Sequence, residues 1–175
     1  MATLSRSDCM ALFSQMANAL RYIHANLITH DDVKPENIVW STELRRAVLI
    51  DFGAALDYNT VPASFFNPSG TPPYVPPEFL QKIKHAKGDI WALGLVMLFA
   101  LRHISLPDGG WHLPAVTAED GPDRQRLRQW FEQIGQLRAE LTTAEPLIYR
   151  MLDPDLGARI NSSDLVQQLQ AINEP

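Results

Sequence analysis

Apolar positions recur at helical spacing early in the chain. Phe13, Met16, Ala17, Leu20, Ile23 and His24 share one face, and the preceding "SRSD" supplies Ser and Asp caps. The pattern predicts a helix over residues 7 to 26, about five turns long, with His24 at the edge of the core. That helix leads directly into "THDDVKPENIVW", residues 29 to 40, where two aspartates, a lysine, a glutamate and an asparagine crowd together before the pattern turns apolar. Two short apolar runs, "NIVW" and "AVLI", flank the polar "STELRR" and predict a small β-hairpin.

Periodicity is then lost. Residues 51 to 78 are rich in proline, contain Gly53 and Gly70, and lack lysine and arginine, so they read as one long irregular segment. From Lys87 to Arg102 the chain is apolar almost all round, which predicts a helix enclosed by its neighbours. Residues 103 to 123 read as a loop. Residues 124 to 141 form an amphipathic helix whose arginines, Arg124, Arg126, Arg128 and Arg138, read as a solvated face. Pro146 suits the first position of a short helix ending near Leu152, and "NSSD", 161 to 164, can cap a last helix to about Ala171. The fold class is therefore mainly α with one small hairpin, in a single domain spanning 1 to 175.

Composition narrows the function. The 175 residues are 46% hydrophobic and 20% charged, enough for a sizeable core. A net charge of -5, with no Lys/Arg run, argues against nucleic acid and anionic membranes as partners. The longest apolar run, "IWALGLVMLFAL" (90 to 101), is too short to span a bilayer. The single cysteine, Cys9, cannot form an intramolecular disulfide and reads as a packed thiol, and no Cys/His cluster has metal-ligand spacing. The N-terminus does not read as a secretory signal, so the expected compartment is reducing: cytoplasm or nucleus.

The chemistry sits in the polar clusters. A carboxylate beside a substrate hydroxyl can orient it and take its proton, and a lysine two residues on can neutralise charge on a moving phosphoryl group; Asp32 and Lys34 stand in that relation. Asn37 offers an amide oxygen, a hard ligand suited to Mg²⁺, and Asp51, across the hairpin in "LIDFG", can supply a carboxylate. Together they outline a metal-phosphate site.

With these residues placed, the chain resembles the C-terminal lobe of a eukaryotic-type Ser/Thr protein kinase. The family's H-R-D-x-K-P-x-N catalytic loop matches residues 30 to 37, its D-F-G matches Asp51, Phe52 and Gly53, and its G-T-P-x-Y-x-A-P-E matches "GTPPYVPPE", with Pro76 in place of alanine. Its D-x-W-x-x-G corresponds to Asp89, Trp91 and Gly94. Arg159 falls where the family places the arginine that pairs with the glutamate of A-P-E, here Glu78. Aminoglycoside-type phosphotransferases share an H-x-D-x-x-x-x-N loop, but "KPEN" and "GTPPYVPPE" favour the protein-kinase branch.

The resemblance implies a role for each matched residue. Asp32 is then the catalytic base, Lys34 a phosphate contact, and Asn37 and Asp51 the Mg²⁺ ligands, with ATP as co-substrate. Thr71 is the substrate-loop hydroxyl near Asp32, and Val39 forms the floor under an adenine ring. His30 and Phe52 stack in the lobe's internal apolar column, Asp89 holds the catalytic-loop backbone, and Glu78 pairs with Arg159.

Two departures shape the functional expectation. No G-x-G-x-x-G precedes the catalytic loop, and the residues ahead of it are spent on one helix, so the expectation is a stand-alone C-lobe without the nucleotide-clamping N-lobe. Such a lobe would bind a protein partner or a second copy through the face that includes Val39 and Phe52. The readings are thus a kinase-like binding protein, a phosphotransferase completed by another chain, or a piece of a larger kinase. The second departure is Asp31, where regulated kinases carry an arginine. With no basic residue between Arg46 and Lys82, a phosphate on Thr60, Ser64 or Ser69 is expected to meet repulsion.

Overall fold

The computed structural model describes residues 4–62, 65–105, 111 and 121–173. The first helix, α1 (Arg6–Ala25), forms where the apolar spacing places it. Ser5 caps it, its hydroxyl accepting the Asp8 amide at 3.1 Å. The buried face carries Leu12, Phe13, Met16, Leu20 and Ile23. Cys9 is buried there too, its Sγ 3.7 Å from the Ala100 carbonyl, and burial pushes the thiol pKa up, so it is a packing group.

Beyond α1 the chain makes two small antiparallel ladders. The pair β2 (Ile38–Ser41) and β3 (Arg46–Leu49) is the expected hairpin, with Val39 opposite Val48 and Trp40 opposite Ala47. Strand alternation buries Ala47 and leaves Val39 and Val48 on the outer face, 50% and 44% exposed. The other ladder, β1 (Ile28–Thr29) with β4 (Leu56–Asp57), joins the entry of the catalytic stretch to the irregular segment. Two-residue strands leave no period-2 pattern, and no sequence signal marks them.

The apolar helix α2 (Lys87–Ala100) is the enclosed pillar that its composition predicts. Ile90, Leu93, Leu95, Met97 and Leu98 are fully buried. It packs against α1 on one side and against the short helix α4 (Pro146–Met151) on another. Gly94 permits the second contact, since a Cβ there would lie 3.0 Å from the Leu152 side chain. Ahead of α4 runs α3 (Pro122–Ala144), longer at both ends than the charge pattern indicates. The final helix, α5 (Ser162–Asn173), lies on α1 and is capped by Asn161, whose side-chain oxygen accepts the Asp164 amide at 2.9 Å. The expected loop over 103 to 123 lies largely outside the described residues.

The arginine face of α3 differs from expectation. Arg124 donates to the Leu80 carbonyl at 2.9 Å, Arg126 lies 4.4 Å over the Trp111 ring, and Arg138 pairs with Asp153 while stacking on Tyr149. Much of what reads as solvated charge ties α3 to its neighbours, because an arginine can stack its stem and guanidinium on an apolar surface. Among the described residues no helix is long and apolar enough to cross a membrane.

Candidate active site

The polar cluster is held from beneath by α2. Asp89, buried in the first turn of that helix, accepts the His30 amide at 2.9 Å through Oδ2 and the Asp31 amide at 2.8 Å through Oδ1. His24 steadies that carboxylate: its Nε2 lies 2.8 Å from Asp89 Oδ2, and its Nδ1 3.1 Å from the Ser162 hydroxyl. His24 is therefore more than a core-edge residue; it links α1, α2 and α5 under the catalytic stretch. Its position four residues after Leu20, on the apolar stripe, conceals this role, because only the fold brings Asp89 beside it. His30 is fully buried, reaches the Ile50 carbonyl at 3.0 Å through Nε2, and meets Phe52 edge-on with ring centroids 4.8 Å apart.

Asp32 lies at the centre of a fully engaged carboxylate. Its Oδ1 accepts the Thr71 hydroxyl at 2.7 Å, and its Oδ2 accepts Lys34 Nζ at 2.7 Å and Asn37 Nδ2 at 3.1 Å. Lys34 also donates to Thr71 Oγ1 at 2.8 Å, closing a three-membered ring of contacts. Asn37 Nδ2 donates in addition to the Asp32 carbonyl at 2.8 Å. Both acceptors require the amide nitrogen on that side, so the amide oxygen of Asn37 is the atom that could ligate a cation.

Asp51 follows the hairpin in a left-handed conformation, φ 63°, and its Oδ1 accepts the Gly53 amide at 3.1 Å. Asp31 is left-handed as well, at φ 63°. Two aspartates held there cost about 1–3 kcal/mol each, a strain that the flanking hydrogen bonds sustain. The Ile50 amide bonds the Asn37 carbonyl at 2.9 Å, so the residue before Asp51 is tied to Asn37. Asn37 and Asp51 would offer two oxygen donors, a chemistry that fits Mg²⁺, since that ion takes one or two carboxylates together with substrate phosphates. Among the described residues no group of three or more His, Cys, Asp or Glu could hold a metal by itself.

Thr71 reaches Asp32 because the irregular segment is braced at its far end. Glu78 and Arg159, both nearly inaccessible, form a two-pronged pair at 2.7 and 2.8 Å. Arg159 also bonds the Asp153 and Lys87 carbonyls and lies 5.1 Å over Trp91. Val39, by contrast, takes no part in this cluster. It lies opposite Val48 on the outer face of the hairpin, and both are partly exposed, as are Ile50 and Phe52 just after the hairpin.

The electrostatic expectation around Asp31 needs correction. Lys84 Nζ lies 2.8 Å from Asp31 Oδ2 and 2.6 Å from Ser69 Oγ, with both members of the ion pair almost fully buried. A scan of the linear interval from Arg46 to Lys82 misses this cation, since it sits two residues beyond that interval and returns through the turn after Glu78. Ser69 therefore faces a positive charge already shared with Asp31.

A model of the protein kinase domain matches residues 1–169. The chain is 35% identical to the serine/threonine-protein kinase SIK2 of Gallus gallus over 168 residues, covering 94% of this chain and 19% of that protein. It is 31% identical to CBL-interacting protein kinase 15 of Oryza sativa subsp. japonica over 153 residues, 85% of this chain and 33% of that protein. It is also 36% identical over 100 residues to a calcium/calmodulin-dependent protein kinase type II of Caenorhabditis elegans, 55% of this chain and 14% of that protein. The chain thus spans a third or less of each of these relatives' length, and across that span both its catalytic stretch and its matched residues identify it as a member of the protein kinase domain family.

Proposed function

We propose that residues 1–175 act as the catalytic-loop lobe of a Ser/Thr protein kinase, working by protein binding and transferring phosphate only where a second protein surface supplies the nucleotide clamps. The observation that carries this reading is the Asp32–Lys34–Thr71 arrangement. A substrate hydroxyl entering beside Asp32 finds an acceptor for its proton at Oδ1 and an ammonium, Lys34 Nζ, poised for negative charge. Asn37 and Asp51 would hold Mg²⁺, which would neutralise phosphate charge, while ATP would supply the phosphoryl group. Lys34 and Thr71 keep the Asp32 carboxylate in one orientation, and Asp89 keeps the loop backbone under it.

The binding half of the proposal rests on the hairpin. Val39, Val48, Ile50 and Phe52 present a run of exposed apolar side chains next to Asp51. A clamping surface placed there would adjoin Asp51, the neighbour of Ile50 and Phe52 in the chain. Residues 1–175 contain no G-x-G-x-x-G of their own, so the phosphates must be covered from elsewhere. Loss of a single charge-stabilising contact commonly costs an enzyme about 3–4 kcal/mol, and a lobe without several of them turns over slowly.

The test is phosphate incorporation from Mg²⁺-ATP into a generic Ser/Thr peptide by wild type and Asp32→Ala, alone and with the isolated N-lobe of a relative. The expected result is incorporation that rises with the added lobe and is lost in Asp32→Ala. Incorporation that persists in Asp32→Ala would remove the assigned base, and none under any condition would leave protein binding as the whole function.

A further inference from the structure

We propose that Lys84 is a positioning residue, and that the Asp31–Lys84–Ser69 bridge anchors the segment carrying Thr71 to the catalytic loop without any phosphate. The bridge has three physical features. Its ion pair, 2.8 Å between Lys84 Nζ and Asp31 Oδ2, is 6% and 7% exposed, so solvent and salt screen it little. The same ammonium donates to Ser69 Oγ at 2.6 Å, two residues before Thr71. Between them, Gly70 takes φ 118°, and a Cβ there would meet the Asp31 carbonyl oxygen at 2.9 Å. Any other residue at 70 would push the segment off the loop.

The bridge therefore holds the chain immediately before Thr71. Thr71 Oγ1 contacts Asp32 and Lys34 directly, and Ser69 and Gly70 hold the backbone that presents it. The charges are inverted relative to the arrangement the resemblance implies. There, a cation in the catalytic loop awaits a phosphate on the segment. Here the loop contributes the anion, Asp31, and the cation comes from Lys84 beyond the segment. Both charges are supplied by the unmodified chain, so the anchor forms without any modification. A phosphoryl group on Ser69 would contend with Asp31 for one ammonium and would loosen the anchor.

A buried pair of this kind is poor evidence for added stability, because desolvation offsets much of the attraction. Burial and the neighbouring Asp89 carboxylate push the Asp31 pKa up in spite of Lys84. That cost fits a positioning device better than a stabilising one. The proposal rests on the kinase reading for its consequence but not for its test.

The test is amide hydrogen exchange over residues 67–75, compared with α1 and α2, in wild type, Lys84→Met and Lys84→Arg, with no nucleotide or substrate present. The expected result is exchange at Ser69 and Tyr74, whose amides bond the Asn67 and Thr71 carbonyls at 2.8 Å each, at least tenfold faster in Lys84→Met, with α1 and α2 unchanged, and restored to near wild type in Lys84→Arg. Equal protection at 69 and 74 in Lys84→Met, or a uniform loss throughout the chain that Lys84→Arg does not repair, would overturn it. Should Lys84→Met fail to fold, Ser69→Ala removes the segment's leg alone and is judged by the same criteria. Because exchange is read without catalysis, a lobe that never transfers phosphate can still pass.

Discussion

At the scale of the residue, the site depends on a few buried charges whose partners are all identified. Arg159 and Glu78 are the most enclosed pair, and removing one partner leaves the other charge buried and uncompensated. Glu78→Ala is accordingly expected to lower unfolding free energy by about 3–5 kcal/mol, read as a fall in the denaturant midpoint. Asp31 bears on the pH dependence. Its folded pKa is raised, so the folded state holds a proton more readily than the unfolded chain does. The associated stability is complete below the ordinary carboxylate range and is lost as pH rises through the higher folded value. Asp31→Asn should abolish that decline in melting temperature, measured from acid to neutral pH. The bracing by Asp89 and by Glu78 with Arg159, and the grouping of Asp32, Lys34 and Thr71, are legible in the sequence because short motifs fix residue type and spacing together. Lys84 and His24 were not: each acts through a partner distant along the chain, Asp31 in one case and Asp89 in the other, and neither sits in a motif of its own.

At the scale of the element, α2 does two jobs at once. Its first turn carries Asp89 under the catalytic loop, and its middle carries Gly94 against Leu152. Tight packing leaves Gly94 no room, and Gly94→Ala is expected to cost about 1–3 kcal/mol through overpacking, seen as a lower midpoint with an unchanged denaturant slope. Lost alignment of the Asp89 carboxylate would follow, with faster amide exchange at His30 and Asp31. Helices α1 and α2 and the hairpin were readable in advance, since each has a sustained period or a run bounded by turn residues. The β1–β4 ladder was not, because two residues per strand carry no period, and the reach of α3 was underestimated because its polar ends resemble a loop. Its arginines were misread for a related reason: pattern alone cannot distinguish a guanidinium in water from one stacked on Trp111 or Tyr149.

At the scale of the whole molecule, the described residues combine a well-braced catalytic loop with an open apolar hairpin face. The two are adjacent, because Ile50 and Phe52 flank Asp51. On the proposed binding role of this face, Val48→Lys should leave the melting temperature within about 2 °C while abolishing association with an added N-lobe, measured by sedimentation of wild type and variant. The proposed function requires that residues 1–175 hold the metal-nucleotide end of a kinase reaction. It is tested most directly by calorimetric titration of Mg²⁺-ATP into wild type and into Asp51→Ala. Weak, saturable, Mg²⁺-dependent binding to wild type that disappears in Asp51→Ala is the predicted result; equal binding by the two proteins, or none that depends on Mg²⁺ in the wild type, would contradict it.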